Sequence, residues 1–319
     1  MNILMISAND PAGMAIAFSN AINRYSEHTC RLITSEERYG FAYESDIHLP
    51  DIPAEGFAEV ELLLRDADII HFHMLSDEDT RLGPFLVRDY IKGKKIVHHH
   101  HGHPHFRANP GFYRDKYSQL QRKVVVSTPD LLQLLPEATW VPNLVPINDP
   151  LLMPHHQPDS ETLMIGQSPT RKDLKNTSEL IEVVAALQAS NRLETAIVLN
   201  IIELMEYKTC LAEKNKCHII FDHMQGYYGV SSLECLSQGK PVIAGLDAWN
   251  IRCIKEFTGA NELPWQVATN KEELRATLHL LITDREQRLT AGHAARYFME
   301  QYWTEQHALN VLLDIYSKL

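Results

Sequence analysis

The chain has 319 residues, 45% hydrophobic and 22% charged, with a formal net charge of −11; this is the composition of a globular protein long enough for two domains. So acidic a chain lacks the broad basic face that nucleic-acid binding needs, and any anionic ligand must be received by a local cluster of Arg, Lys or backbone amides. No apolar run approaches the ~20 residues of a membrane span, although association with a membrane surface stays open.

The N-terminus, MNILMISANDPAG, has neither the basic start nor the long apolar core of a signal peptide. Five scattered cysteines, never spaced C-x-x-C, fit reduced thiols in a cytoplasmic protein, with the inner face of the membrane open to it, better than a disulfide frame or zinc ribbon. From residue 2 onward β-rich runs alternate with helical patterns. NILMIS (2–7) reads as a buried parallel strand, followed by the loop ANDPAG and the helix MAIAFSNAINRYSE. CRLITS (30–35), ADIIHFH (67–73), KKIVHHHH (94–101) and KVVVSTP (123–129) read as further strands, with helical segments between them that include AEVELLLRD and PFLVRDYIKG. Five prolines break the pattern at 140–160, which reads as a linker. Alternation resumes with TLMIGQSP, a helix over 178–187, TAIVLNII, CHIIFDHM, the helix SSLECLSQG, KPVIAG and QVAT, before two C-terminal helices. The pattern predicts an α/β protein of two Rossmann-like halves facing across a cleft: 1–150, 151–300, and a terminal segment 301–319.

Two loops in the second half carry candidate chemistry. In GYYGVSSLECLSQGKPVIAG (226–245), Gly229 leads into a helix whose start, Val230, Ser231 and Ser232, offers amides and roughly half a positive charge to a phosphate. Glu234, placed on the first turn, can accept hydrogen bonds from ribose hydroxyls; it can equally complete a capping box with Ser231. In SPTRKDLKN (168–176), Arg171, Lys172 and Lys175 sit between a strand and a helix, either on a diphosphate or on a solvated face.

Together these segments resemble the nucleotide-sugar domain of the GT-B glycosyltransferases, particularly the large retaining family four. The resemblance covers nearly the whole chain and includes VVVSTPDLL, WVPNLVP and the last helix, EQHALNVLLDIYSKL, which resembles one that crosses back to the first domain. It implies that Gly166, Arg171 and Lys175 match the residues holding the donor diphosphate, with Asn176 where Gly is common, and that Glu234 is the ribose-binding carboxylate. The first Glu of the family's pair falls at Gly226, where its carboxylate is missing; Asp222 or Gln225 are the candidates to replace it. The resemblance further implies transfer, with retention, from a nucleotide-diphosphate sugar to a glycan or lipid-linked acceptor, in bacterial surface polysaccharide or lipopolysaccharide synthesis, with no catalytic metal or other cofactor. A nucleotide-sugar epimerase and a catalytically silent domain that binds a partner or a glycan are the alternatives.

The stretch VHHHHGHPHFR sets six histidines in the eight positions 98–105. Strand geometry sends His98 and His100 to one face and His99 and His101 to the other, so the four make a poor single metal site. The resemblance implies a histidine in the cleft at this strand end: His101, before Gly102, is expected there as the catalytic residue with His103 as the alternative, Arg107 follows it into the site, and His71 or His73 lines the acceptor side. A zinc site would need His101, His103 and His105 to converge around the turn, and plain structural histidines are the third reading. Gly13, between the first strand and its helix, is a further candidate for close backbone approach to the donor.

Overall fold

The computed structural model describes residues 1–36, 39–155, 162–190 and 193–319; the end of the proline-rich stretch, 156–160, lies outside them. The chain divides into two compact units, Met1–Leu144 with Glu305–Leu319, and Val145–Thr304. The junctions at 144/145 and 304/305 stand beside the expected 150/151 and 300/301.

In the first unit the strands are β1 (Asn2–Ser7), β2 (Thr29–Thr34), β3 (Ile47–His48), β4 (Ile69–His73), β5 (Arg81–Leu82), β6 (Phe85–Leu86), β7 (Lys95–His100), β8 (Lys123–Val126) and β9 (Thr139–Trp140). Its helices are α1 (Met14–Tyr25), α2 (Phe57–Asp66), α3 (Pro104–Ala108), α4 (Pro110–Leu120) and α5 (Asp130–Leu134). Seven strands make a parallel sheet in the order β3-β2-β1-β4-β7-β8-β9. The two-residue periodicity of its strands decides the layers. Ile3, Met5, Ile69 and Val97 pack with Phe18 and Ile22 of α1 on one face, while Leu4, Ile6, Ile70 and Ile96 pack with Val60 and Leu64 of α2 on the other. The segment PFLVRDYIKG is not an α-helix: Gly83, at φ +63°, and Pro84 turn β5 into β6, and a single 3-10 turn follows at Val87–Tyr90. Local turn chemistry overrides the helical spacing there.

In the second unit the strands are β10 (Thr162–Gln167), β11 (Ala196–Ile201), β12 (Ile219–Phe221), β13 (Val242–Ala244) and β14 (Gln266–Val267). The helices are α6 (Thr177–Ala189), α7 (Tyr207–Lys216), α8 (Val230–Ser237), α9 (Ala248–Thr258), α10 (Lys271–Thr283) and α11 (Arg285–Tyr302). The parallel sheet runs β11-β10-β12-β13-β14, so the order reverses between β10 and β12. Three helices, not two, close the chain: Asp284 and Thr304 break the periodic segment, and α12 (Glu305–Ser317) packs Ala308, Leu309 and Leu312 into the core of the first unit. Burying each such leucine is worth ~1.5–3 kcal/mol. The described part of the proline-rich stretch is packed rather than loose, because Val141, Leu144, Val145, Ile147 and Leu152 are buried and Arg296 donates to the carbonyls of Ile147 and Ser237.

Candidate functional site

The second unit gathers polar groups at the carboxyl ends of β10 and β12, the switch point where open α/β sheets receive ligands. Lys175 arrives from the loop after β10, Asp222 from the end of β12, and Gly229 caps the start of α8. Lys175 Nζ lies 3.2 Å from Asp222 Oδ1, while Asp222 Oδ2 accepts from Gly229 N–H at 2.6 Å and from Ser232 Oγ at 2.7 Å. Burial would raise the Asp222 carboxyl, but His223, Lys175 and these hydrogen bonds hold it well below the usual carboxylate range. A Cβ at Gly229 would stand 3.1 Å from Lys175 Nζ and 3.2 Å from Asp222 Oδ1, so the glycine provides the room in which amine and carboxylate meet.

The loop is held from beneath. Gln167 Nε2 donates to the carbonyls of Lys175 (2.7 Å) and Asp222 (3.1 Å), tying the two loops together. Asn176 adopts φ +51°, ψ +34°, the left-handed conformation Asn tolerates better than other side chains, which explains its standing where the family has Gly. Its Oδ1 accepts from Met224 N–H and Gln225 Nε2. Ser168 and Ser231 join their hydroxyls at 2.9 Å across the mouth of α8.

Two expectations for this unit change, those for Glu234 and Arg171. Glu234 lies past the first turn of α8, because the helix begins at Val230, and it forms no capping box. Its carboxylate meets Lys214 Nζ of α7 at 2.5 Å, with both side chains 4% exposed. Burial would depress the Lys214 ammonium, but Glu234 beside it holds it above the ordinary lysine value. A buried carboxylate so paired is not presented to a ribose. Arg171 turns to Asp173 on its own exposed loop rather than to Lys175, and Lys172 pairs with Glu203. At Gly226 φ is +89°, a conformation an L side chain rarely adopts, so the backbone there is shaped for glycine and not for the missing glutamate. Gly166 fits a packing need: a Cβ there would fall 2.4 Å from Cys217 Sγ.

In the first unit the expected residues are tied up by their neighbours. Tyr43 covers Gly13, where a Cβ would be 2.6 Å from its ring. His103 Nδ1 accepts from the His105 amide as the cap of α3, and His105 Nδ1 meets the Tyr113 hydroxyl at 2.9 Å, so the triad His101, His103, His105 does not converge. Arg107 binds the Gly102 carbonyl and Asp130 Oδ2 (2.7 Å) and braces the turn. His101 Nε2 is 3.0 Å from His73 Nδ1 and its Nδ1 is buried, so the ring is turned into the sheet face and not toward solvent. Burial pushes its pKa down to about 3.

The face rule for the histidines holds. His100 Nε2 meets the Tyr117 hydroxyl at 2.6 Å and His98 reaches Glu78, while His99 and His101 stack with His71 and His73 on the opposite face. The acidic run 77–79 is consumed by ion pairs to Lys116, Arg122 and Arg88. Gln167, Lys214 and the pairing role of Asp222 carried no signal that spacing could reveal, since each contact joins residues 8 to 55 positions apart.

No protein-family model matches the chain, and no curated protein matches it. Solved structures do. A glycosyltransferase from Rickettsia africae superposes with a TM-score of 0.63 at 15% identity, covering 99% of this chain and 98% of the other. HepE from Anabaena, in complex with UDP and glucose, superposes with a TM-score of 0.67 at 14% identity over 100% of both chains. A UDP-GlcNAc 2-epimerase from Neisseria meningitidis bound to UDP-GlcNAc gives 0.53 at 14% identity, again over 100% of both. The likeness is one of fold: two Rossmann-like α/β units of the GT-B type.

Proposed function

We propose that this chain is a glycosyltransferase that takes its sugar from a nucleotide diphosphate held in the second unit. The observation that carries the reading is the Lys175 ammonium set beside Asp222 at the Gly229 start of α8, over the switch point between β10 and β12. Asp222 takes one of the three ammonium donors, and a diphosphate oxygen can accept another. Asp222 already satisfies the Gly229 amide; the next amides, of Val230 and Ser231, precede any intrahelical acceptor and point toward an anion at the helix start. As the bond from the sugar's anomeric carbon to the diphosphate breaks, negative charge grows on the leaving oxygens, where Lys175 and these amides stabilise it. Arg171 joins when the ligand draws it from Asp173. Glu234 contributes by fixing α7 to α8 through Lys214 rather than by touching the ribose. Retention at the anomeric carbon, a glycan or lipid-linked acceptor and a role in surface polysaccharide or lipopolysaccharide synthesis follow from the resemblance to family four. The absence of a catalytic metal belongs to the same proposal.

The test is thermal stability of the untagged chain against UDP, GDP, ADP, CMP and dTDP, each with and without EDTA. A ligand at 100 times its Kd adds about 2.7 kcal/mol. Stabilisation by one nucleotide, of equal size in both conditions and abolished by Lys175→Ala, is the expected result; no shift with any nucleotide overturns the reading. Glycine at 226 and the epimerase likeness favour a second reading, nucleotide-sugar epimerisation. Product analysis separates the two, since an epimerase converts the nucleotide sugar with no acceptor present.

A further inference from the structure

On one face of the first unit's sheet, β4 and β7 lie side by side with His73 paired in register with His99 and His71 two positions before His73. The period of two puts His71, His73, His99 and His101 on that same face, against Phe18 of α1 and Tyr316 of α12. The first three are at most 1% exposed. One ring nitrogen from each of His71, His73 and His99 lies within 4.8 Å of the other two. His71 Nε2, His73 Nε2 and both nitrogens of His99 are buried and make no hydrogen bond. Each buried polar atom left in that condition costs ~1–3 kcal/mol, so four together in a sheet interior call for a ligand.

We propose that His71, His73 and His99 bind a first-row transition-metal ion of the zinc class, held between β4 and β7. The hydrogen bonds behind the rings fit that role. His71 Nδ1 is engaged by the Tyr316 hydroxyl and His73 Nδ1 by His101 Nε2 at 3.0 Å, which leaves Nε2 of both rings without a hydrogen bond and available to an ion. Metal-bound histidines are oriented in this way, one nitrogen on the ion and the other on a fixed partner. The donor set names the ion class: imidazole suits zinc, copper and nickel, whereas calcium and magnesium require oxygen ligands. Ligand nitrogens on a tetrahedral ion with ~2.0–2.1 Å bonds stand about 3.3 Å apart, so binding needs a closing movement on the order of 1 Å. Three imidazoles leave one position of a tetrahedral ion for a further ligand. Such an ion would tie two central strands together and, through Tyr316, fasten α12 to the sheet. It is separate from the Lys175–Asp222 site and independent of the activity proposed for it.

The experiment uses the untagged full-length chain, stripped with a chelator and reloaded with zinc or with cobalt(II), then desalted. Stoichiometric zinc by mass spectrometry, and the intense visible bands of four-coordinate cobalt with three imidazoles, are expected from the wild type. His99→Gln should lose the metal, while His103→Gln with His105→Gln should keep it. Should His99→Gln not fold, the wild-type cobalt spectrum and X-ray absorption, with a nitrogen shell at ~2.0 Å, decide alone. No retained metal, the weak bands of octahedral cobalt, or metal lost with His103 and His105 would each overturn the proposal. Failure of the nucleotide reading would leave these results unchanged.

Discussion

The strand ends of the two units handle buried polarity in opposite ways. In the second unit buried carboxylates are paired with ammonium groups: Glu234 with buried Lys214, and Asp222 with half-buried Lys175. In the first unit one sheet face instead buries imidazoles against one another, with burial and mutual repulsion driving the pKa values of His71, His73 and His99 well below the ordinary histidine value. The difference teaches what each region can recognise. Paired charges keep a preorganised field in place for an anion, whereas neutral rings with unused lone pairs suit a cation that binds nitrogen.

The sharpest way to break this comparison is Lys214→Met, which leaves Glu234 as an uncompensated buried charge and should cost ~3–5 kcal/mol in denaturant unfolding. Adding Glu234→Leu should recover most of the loss; if Lys214→Met were nearly neutral, Glu234 would not be committed to the pair and could serve a ribose. Next is Asp222→Asn, expected to cost on the order of 2 kcal/mol at neutral pH because it removes hydrogen bonds to a charged acceptor. Its pH dependence has a definite sign. The folded pKa of Asp222 lies below its unfolded value of ~3.9, so its stabilisation is complete above about pH 5 and is lost as pH falls through the acid range. The gap between wild type and Asp222→Asn should therefore close below ~pH 4; a gap that widened in acid would refute the assignment.

Lys175→Ala sharpens the comparison at the level of function. It should lower kcat/KM at least ~10-fold, about 1.4 kcal/mol of transition-state stabilisation. Unchanged turnover would remove Lys175 from the site. The smallest effect belongs to Arg171→Ala, whose exposed pairing with Asp173 should leave Tm where it is. Nucleotide affinity should fall by less than in Lys175→Ala, and a larger fall in calorimetry would show that Arg171 is the principal diphosphate contact.

Much of this molecule is legible in the amino-acid order. The apolar run NILMIS becomes β1 with the bounds its composition implies, TLMIGQSP becomes β10 but stops at Gln167, and the turn residues before MAIAF and the glycine before VSSLECLS mark where α1 and α8 begin. The alternation of the histidine run is equally plain, since a strand allows no other arrangement. What local pattern misread, it misread for local reasons. PFLVRDYIKG has helical spacing, but Gly83–Pro84 turns the chain back before a helix can form. Glu234 has the spacing of a capping box with Ser231, but Gly229 takes the cap position and a lysine twenty positions earlier takes the carboxylate.

The sequence by itself thus determined most of the strand and helix segments, that they form two α/β halves, and which face each strand residue takes, because these follow from steric periods of a few residues. The tertiary structure alone decided who meets whom. Lys175 reaches Asp222 across 47 positions, and His71 and His73 come beside His99 through strand pairing across a loop, a short hairpin and a 3-10 turn. Tyr316 closes behind His71 from 245 positions away. Electrostatic pairing and metal-ligand geometry act through a few ångströms of space rather than along the chain, so they become visible when the sheets bring distant strand ends together.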